Sequence, residues 1–138
     1  MHERDKKIHN HPLFKKAEEV YKIVSALIEN FPEEEKEMHA GILMESAMIL
    51  APKLAGAIGS DSWLISMQNA AIIRYHAQNL HTATSSMDME NESDQRYVQL
   101  LRTEMEEFRM LFKEWVKSLN ALEDEDYSDE WGLFIRKK

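Results

Sequence analysis

Glu35 and His39 stand one helical turn apart, and a hairpin that brought His81 level with His39 would offer a divalent metal a third ligand. Gly56 and Gly59, followed by Ser60, could form a loop whose bare backbone amides cradle a phosphate. Arg102, Arg109, Lys113 and Lys117 recur within a sector of about eighty degrees on a helical pattern and could track a nucleic-acid backbone. These are the groups whose types and spacing could do chemistry.

Each meets a plainer explanation. Metal sites in helical bundles use Glu-x-x-His on two helices and Glu on the others, and no Glu-x-x-His occurs in this chain. His76 and His81 lie five apart and point to different sides of one helix, while His2, His9 and His11 fall on a polar N-terminal segment. A phosphate loop of the P-loop type requires a lysine and a preceding strand, whereas Asp61 follows these glycines and the loop has no cation. Glu106 shares the basic sector and Glu114 borders it, so that stripe is partly neutralised. No nucleophile elbow, dinucleotide fingerprint or kinase signature is present. The chain therefore reads as a protein without catalytic residues, cofactor or resident metal, and a metal-binding bundle ranks third among its functions.

Composition points the same way. With 138 residues the chain fits one domain, and with no cysteine it has neither disulfides nor thiolate chemistry. Twenty-five acidic against 17 basic residues give a net charge of -8, which repels nucleic acid and anionic membranes unless a local basic patch intervenes. The opening "MHERDKKIHNHPLF" is followed by no apolar core of the secretory kind, so a cytoplasmic protein that does not enter a membrane is expected.

Scarce Gly and Pro and long stretches without turn signals predict an all-α fold. Residues 1–11 read as a flexible N-terminal arm, 12–122 as an antiparallel up-down-up-down four-helix bundle, and 123–138 as a short apolar C-terminal extension. Pro12 opens the first helix, whose stripe is Leu13, Ala17, Val20, Val24 and Leu27. Lys15, Lys16, Glu18, Glu19 and Lys22 form its solvated face. Pro32 opens the second, with Glu33, Glu34 and Glu35 against the positive end of its dipole, and Pro52 should kink it. Gly59 suits a left-handed cap, after which Ser60, Asp61 or Ser62 caps a third helix reaching about Met87.

That third helix carries one charge, Arg74, so it should be buried on several sides or lie in an oligomer interface. A hairpin turning at residues 59 and 60 sets Arg74 level with Glu45, and the two are expected to form a largely buried, structural ion pair. Ser93 or a near neighbour caps the fourth helix, on which Tyr97, Leu101, Met105, Phe108, Phe112, Trp115, Leu119 and Leu122 follow at spacings of three and four. Beyond "EDEDYSD", the segment "EWGLFIRKK" is too apolar to idle. Trp63, Ile72, Ile73, Trp131, Leu133 and Phe134 are the candidate oligomer or partner contacts.

The order of "HPLFKKAEEVYKIV", "FPEEE", "SAMILAPKLAGA", "MQNAAIIRYHAQNL", "EMEEFRMLFKEWVKSL" and "EWGLF" resembles the bacterial four-helix-bundle proteins of the ribosomal-RNA intervening-sequence type, related to the accessory variability protein of diversity-generating retroelements. The resemblance implies a ring-like homo-oligomer, with five subunits in relatives. It also implies a non-catalytic accessory that binds nucleic acid or a reverse transcriptase through basic surface. The expected function is thus a homo-oligomeric scaffold or adaptor working through protein contacts. The alternative is a nucleic-acid-associated or reverse-transcriptase-associated accessory using Arg102, Arg109, Lys113 and Lys117.

Overall fold

The computed structural model describes residues 2–87, 89–122 and 127–136, and the chain is all-α apart from one small hairpin. Among these residues the helices are α1 (Glu3–Asn10), α2 (Pro12–Glu29), α3 (Glu33–Ile58), α4 (Trp63–Ser85) and α5 (Glu92–Ser118), the last prolonged by a tight turn over Leu119–Ala121. Strands β1 (Tyr127–Ser128) and β2 (Ile135–Arg136) then pair antiparallel. Glu123 to Asp126, in the acidic run, and Lys137 and Lys138 at the end lie outside the described residues.

The stripe of α2 folds as its spacing demands. Leu13, Ala17, Val20, Val24 and Leu27 are fully buried, and Phe14 nearly so. Pro12 occupies the first turn and the His11 ring caps it, Nδ1 accepting the Leu13 amide at 3.1 Å. Burial, and then the charge of Lys7, lower the His11 pKa, which keeps the ring neutral and able to accept. On α5, Val98, Leu101, Met105, Phe108 and Trp115 are buried, with Leu119 in the turn beyond. Asn91, two residues before Ser93, caps this helix through Oδ1, which accepts the amides of Ser93 at 2.8 Å and Asp94 at 3.2 Å.

Helix α2 packs on α3 and α5, and α4 packs on the same two helices, so one apolar cluster joins all four. Charge seals the α2–α5 seam. Lys16 donates to Glu104 at 2.7 Å and to Glu107 at 2.6 Å across the seam, and its side chain is only 15% exposed. Burial alone would lower the Lys16 pKa, but the hydrogen bonds to Glu104 and Glu107 outweigh it and hold the ammonium above its ordinary range. Lys16 is therefore a tie between helices, where a solvated face was expected.

Residues 3–10 form α1, where a flexible arm was expected. Glu3 and Asp5 open this helix and Lys7 and His9 close it, matching its dipole, while Ile8 is buried in the shared core. Arg4 reaches the end of α3, where a Cβ on Gly59 would lie 2.6 Å from its Nε. Gly59 has φ -76°, so glycine serves there as room for Arg4 beside the last carbonyls of α3, and no left-handed cap forms. A π-turn over Lys36–Ala40 interrupts the regular winding of α3, and helix continues with Pro52 inside it to Ile58. By length and composition α3 is apolar enough to cross a membrane, although its Leu43, Ala47, Leu50, Leu54 and Ala57 serve the core.

Candidate functional site

Two polar contacts set the register of α3 against α4. Ser46 meets His76 Nδ1 at 3.3 Å, and the Ser66 hydroxyl donates to the Ala57 carbonyl at 3.0 Å. The pairing is about one helical turn away from one that matches Glu45 with Arg74. Both side chains are exposed, and no ion pair joins them. The expected buried pair is thus overturned. Its physical cause is the loop: Ser62 caps α4, accepting the Ile65 amide at 3.3 Å, so the chain turns later than residues 59 and 60.

The same shift separates the candidate metal ligand His81 from Glu35 and His39. His39 pairs with Glu35 at 3.4 Å along α3, whereas His81 turns to Glu106 on α5, also at 3.4 Å. Among the described residues no three His, Cys, Asp or Glu gather as metal ligands. Gly56 and Gly59 are likewise engaged by protein, Gly56 packing against Asn69 and Gly59 against Arg4.

Arg74 instead borders a groove of about 360 Å³ between α4 and α5. Met105 and Phe108 are its buried floor, Ala77 and Phe112 its half-buried walls, and Arg74, Gln78, Glu106 and Arg109 its exposed rim. Arg109 donates to Glu106 through Nε and Nη2, both at 3.3 Å, and Glu106 also meets His81. Arg74 has no acid within ion-pair reach among the described residues. The groove therefore carries an apolar floor and a surplus of cationic rim on a chain that is acidic as a whole. Its size suits a small aromatic or aliphatic group.

The stripe on α5 is differently used. Arg109 is paired, whereas Arg102, Lys113 and Lys117 have no ion-pair partner among the described residues. Lys113 and Lys117 are exposed and Arg102 half-buried. Arg136, from the basic end, folds back instead of joining them: its guanidinium lies 5.5 Å from the centre of the Trp63 ring, and Nη2 donates to the Asn120 carbonyl at 3.0 Å.

Of the candidate contact residues, Ile73 is fully buried in the core and cannot meet a partner. Trp63 is half-buried beneath Arg136. Ile72 is exposed, next to Ile73 in sequence but on the other side of α4. At the C-terminus, Trp131 is 91% and Leu133 76% exposed, with Phe134 half-buried. Their turn is held by Asp129, whose carboxylate accepts the amides of Phe134 at 2.5 Å, Trp131 at 2.7 Å and Leu133 at 3.4 Å. These amides, Phe134 first, draw the Asp129 pKa below its ordinary value. Gly132 adopts φ 71°, a conformation that favours glycine. What reads as an apolar tail is a small hairpin presenting Trp131, Leu133 and Ile135 to solvent.

Comparison with protein-family models, with curated proteins and with solved structures finds no match to this chain.

Proposed function

We propose that the chain is a non-catalytic, cytoplasmic, homo-oligomeric scaffold or adaptor that works through protein contacts, and that α2 to α5 form an antiparallel up-down-up-down four-helix bundle. The bundle reading is supported by the closed circuit of packing from α2 through α3, α4 and α5 back to α2, and by the short α3–α4 connection. A ring of subunits, as the family resemblance implies, is the proposed form of assembly.

One observation carries the functional reading. Ile42, Ser46, Ile49 and Lys53 follow at helical spacing along α3, and Ile65, Asn69, Ile72 and His76 do so along α4. The contacts of Ser46 with His76 and of Gly56 with Asn69 set these rows side by side. Ile42, Ile65 and Ile72 are exposed, as is neighbouring Tyr75, and few charges interrupt them. A monomer gains nothing by leaving such a face to water. Sedimentation velocity at micromolar concentration should show an oligomer, which Ile65→Glu with Ile72→Glu reduces to a monomer of unchanged helical circular dichroism. A wild-type chain that sediments as a monomer would overturn the reading.

The unpaired cations on α5 favour a second reading, a nucleic-acid-associated accessory. Charge reversal at Arg102, Lys113 and Lys117 should then abolish binding of an RNA or DNA oligonucleotide whose affinity falls steeply with salt. Absence of binding at low salt would remove it.

A further inference from the structure

Besides the isoleucine face of α3 and α4, the helix packing leaves the hairpin tip and the α4–α5 groove uncovered, and these two are complementary. The tip offers Trp131 and Leu133, both well exposed, beside the carboxylate of Glu130. The groove offers Met105, Phe108 and Phe112 below a rim that includes Arg74 and Arg109. We infer that the hairpin tip of one copy docks in the α4–α5 groove of a second copy, Trp131 entering the apolar floor and Glu130 meeting Arg74 and Arg109. The inference rests on the self-association proposed above and adds to the isoleucine face a second, directional contact between copies.

Three physical arguments support this occupant. Charge is one: the net charge of -8 works against self-association in general, whereas the unpaired Arg74, beside the Arg109–Glu106 pair on the groove rim, gives the Glu130 tip of a like molecule a favourable approach. Preorganisation is another, because three backbone amides already hold the Asp129 carboxylate and the turn loses little freedom on docking. Position is the third. Arg136 secures the hairpin at Trp63, while the groove begins at Arg74, about 16 Å farther along α4, and Trp131 is not covered by its own chain. Since tip and groove are different surfaces, every copy can give one and receive one, a head-to-tail contact that closes into a ring when its rotation permits.

The chain has no cysteine, so introduced thiols report on this contact alone. Glu130→Cys and Gln78→Cys variants, mixed under mild oxidation at a concentration where the wild type is oligomeric, should give a mixed disulfide between chains. Adding Trp131→Ala to the first variant should suppress it. In sedimentation, Trp131→Ala should weaken association by at least about thirty-fold, as loss of a buried aromatic anchor does. Arg109→Glu should also weaken it, and Glu130→Arg in that background should restore it in part. An oligomer that survives Trp131→Ala and yields no mixed disulfide overturns the docking and leaves the scaffold reading standing. A monomeric wild type overturns both. A disulfide within single chains of the double-cysteine variant at nanomolar concentration places the tip in its own groove and overturns docking between copies.

Discussion

Between α2 and α5 the contact is sealed by charge, with Lys16 bridging to Glu104 and Glu107. Between α3 and α4 the polar contacts are hydrogen bonds of hydroxyls with no carboxylate among them, Ser46 with His76 and Ser66 with the Ala57 carbonyl, and isoleucines stand exposed beside them. On α2 and α5 most apolar side chains go inward and most charged ones outward, Tyr21, Leu100 and Met110 being the large exceptions. On α3 beyond its acidic first turns and on α4, the outward residues other than Glu45 and Arg74 are mostly apolar or uncharged. A seam of the first kind is closed once its one stripe is covered, although α5 still lends one wall to the groove it shares with α4. The second kind has a further face to cover, and that difference locates interaction surface without any catalytic residue to guide the search.

Adjacent isoleucines give the sharpest way to break this comparison. Ile73→Ala removes a fully buried side chain and should cost about 3 kcal/mol of folding stability, read by denaturant unfolding. Lys16→Met tests the other seam: with two carboxylates left unpaired across α2 and α5, a loss of about 2 kcal/mol is expected. Because the folded pKa of Lys16 is raised, its contribution is complete below the ordinary value of 10.5 and fades as pH rises through the folded value. The variant should lose that alkaline dependence.

His11 titrates in the opposite sense. Its folded pKa is lowered, so the cap it gives α2 is present above the ordinary value of 6.5 and is lost as pH falls through the folded value. Unfolding measured across that range should show His11→Ala costing about 1 kcal/mol at neutral pH and less in acid. The smallest effect belongs to Ile72→Ala, within about 0.5 kcal/mol for the monomer, yet it should shift the assembly equilibrium measured by sedimentation. If Ile72→Ala destabilises the monomer as much as Ile73→Ala does, the exposed face serves the fold and the comparison collapses.

How much of this was legible in the sequence depends on how local the signal is. The stripes of α2 and α5 repeat over several turns, and their buried residues follow that spacing closely. Ile8 is the one buried residue of α1, too little to form a stripe, so a docked helix read as an arm. Glu45 and Arg74 were aligned from the position of one turn, and a displacement of a few residues in that loop was enough to part them. The groove draws on two helices distant in sequence, so no local pattern could announce it. In the C-terminal segment the apolar character was plain, but the shape was not. Asp129 followed by Gly132 is a turn signal, visible only once side-chain capture of backbone amides is weighed.

The chain's three tryptophans occupy three different surroundings: Trp115 in the core, Trp63 under the Arg136 guanidinium, and Trp131 in water. The molecule thus contains its own optical labels for unfolding of the core, release of the Arg136 latch, and occupancy of the tip. In the dissociated chain a soluble quencher such as iodide should extinguish Trp131 emission first, and assembly through the tip should protect it, without a dye attached to either surface.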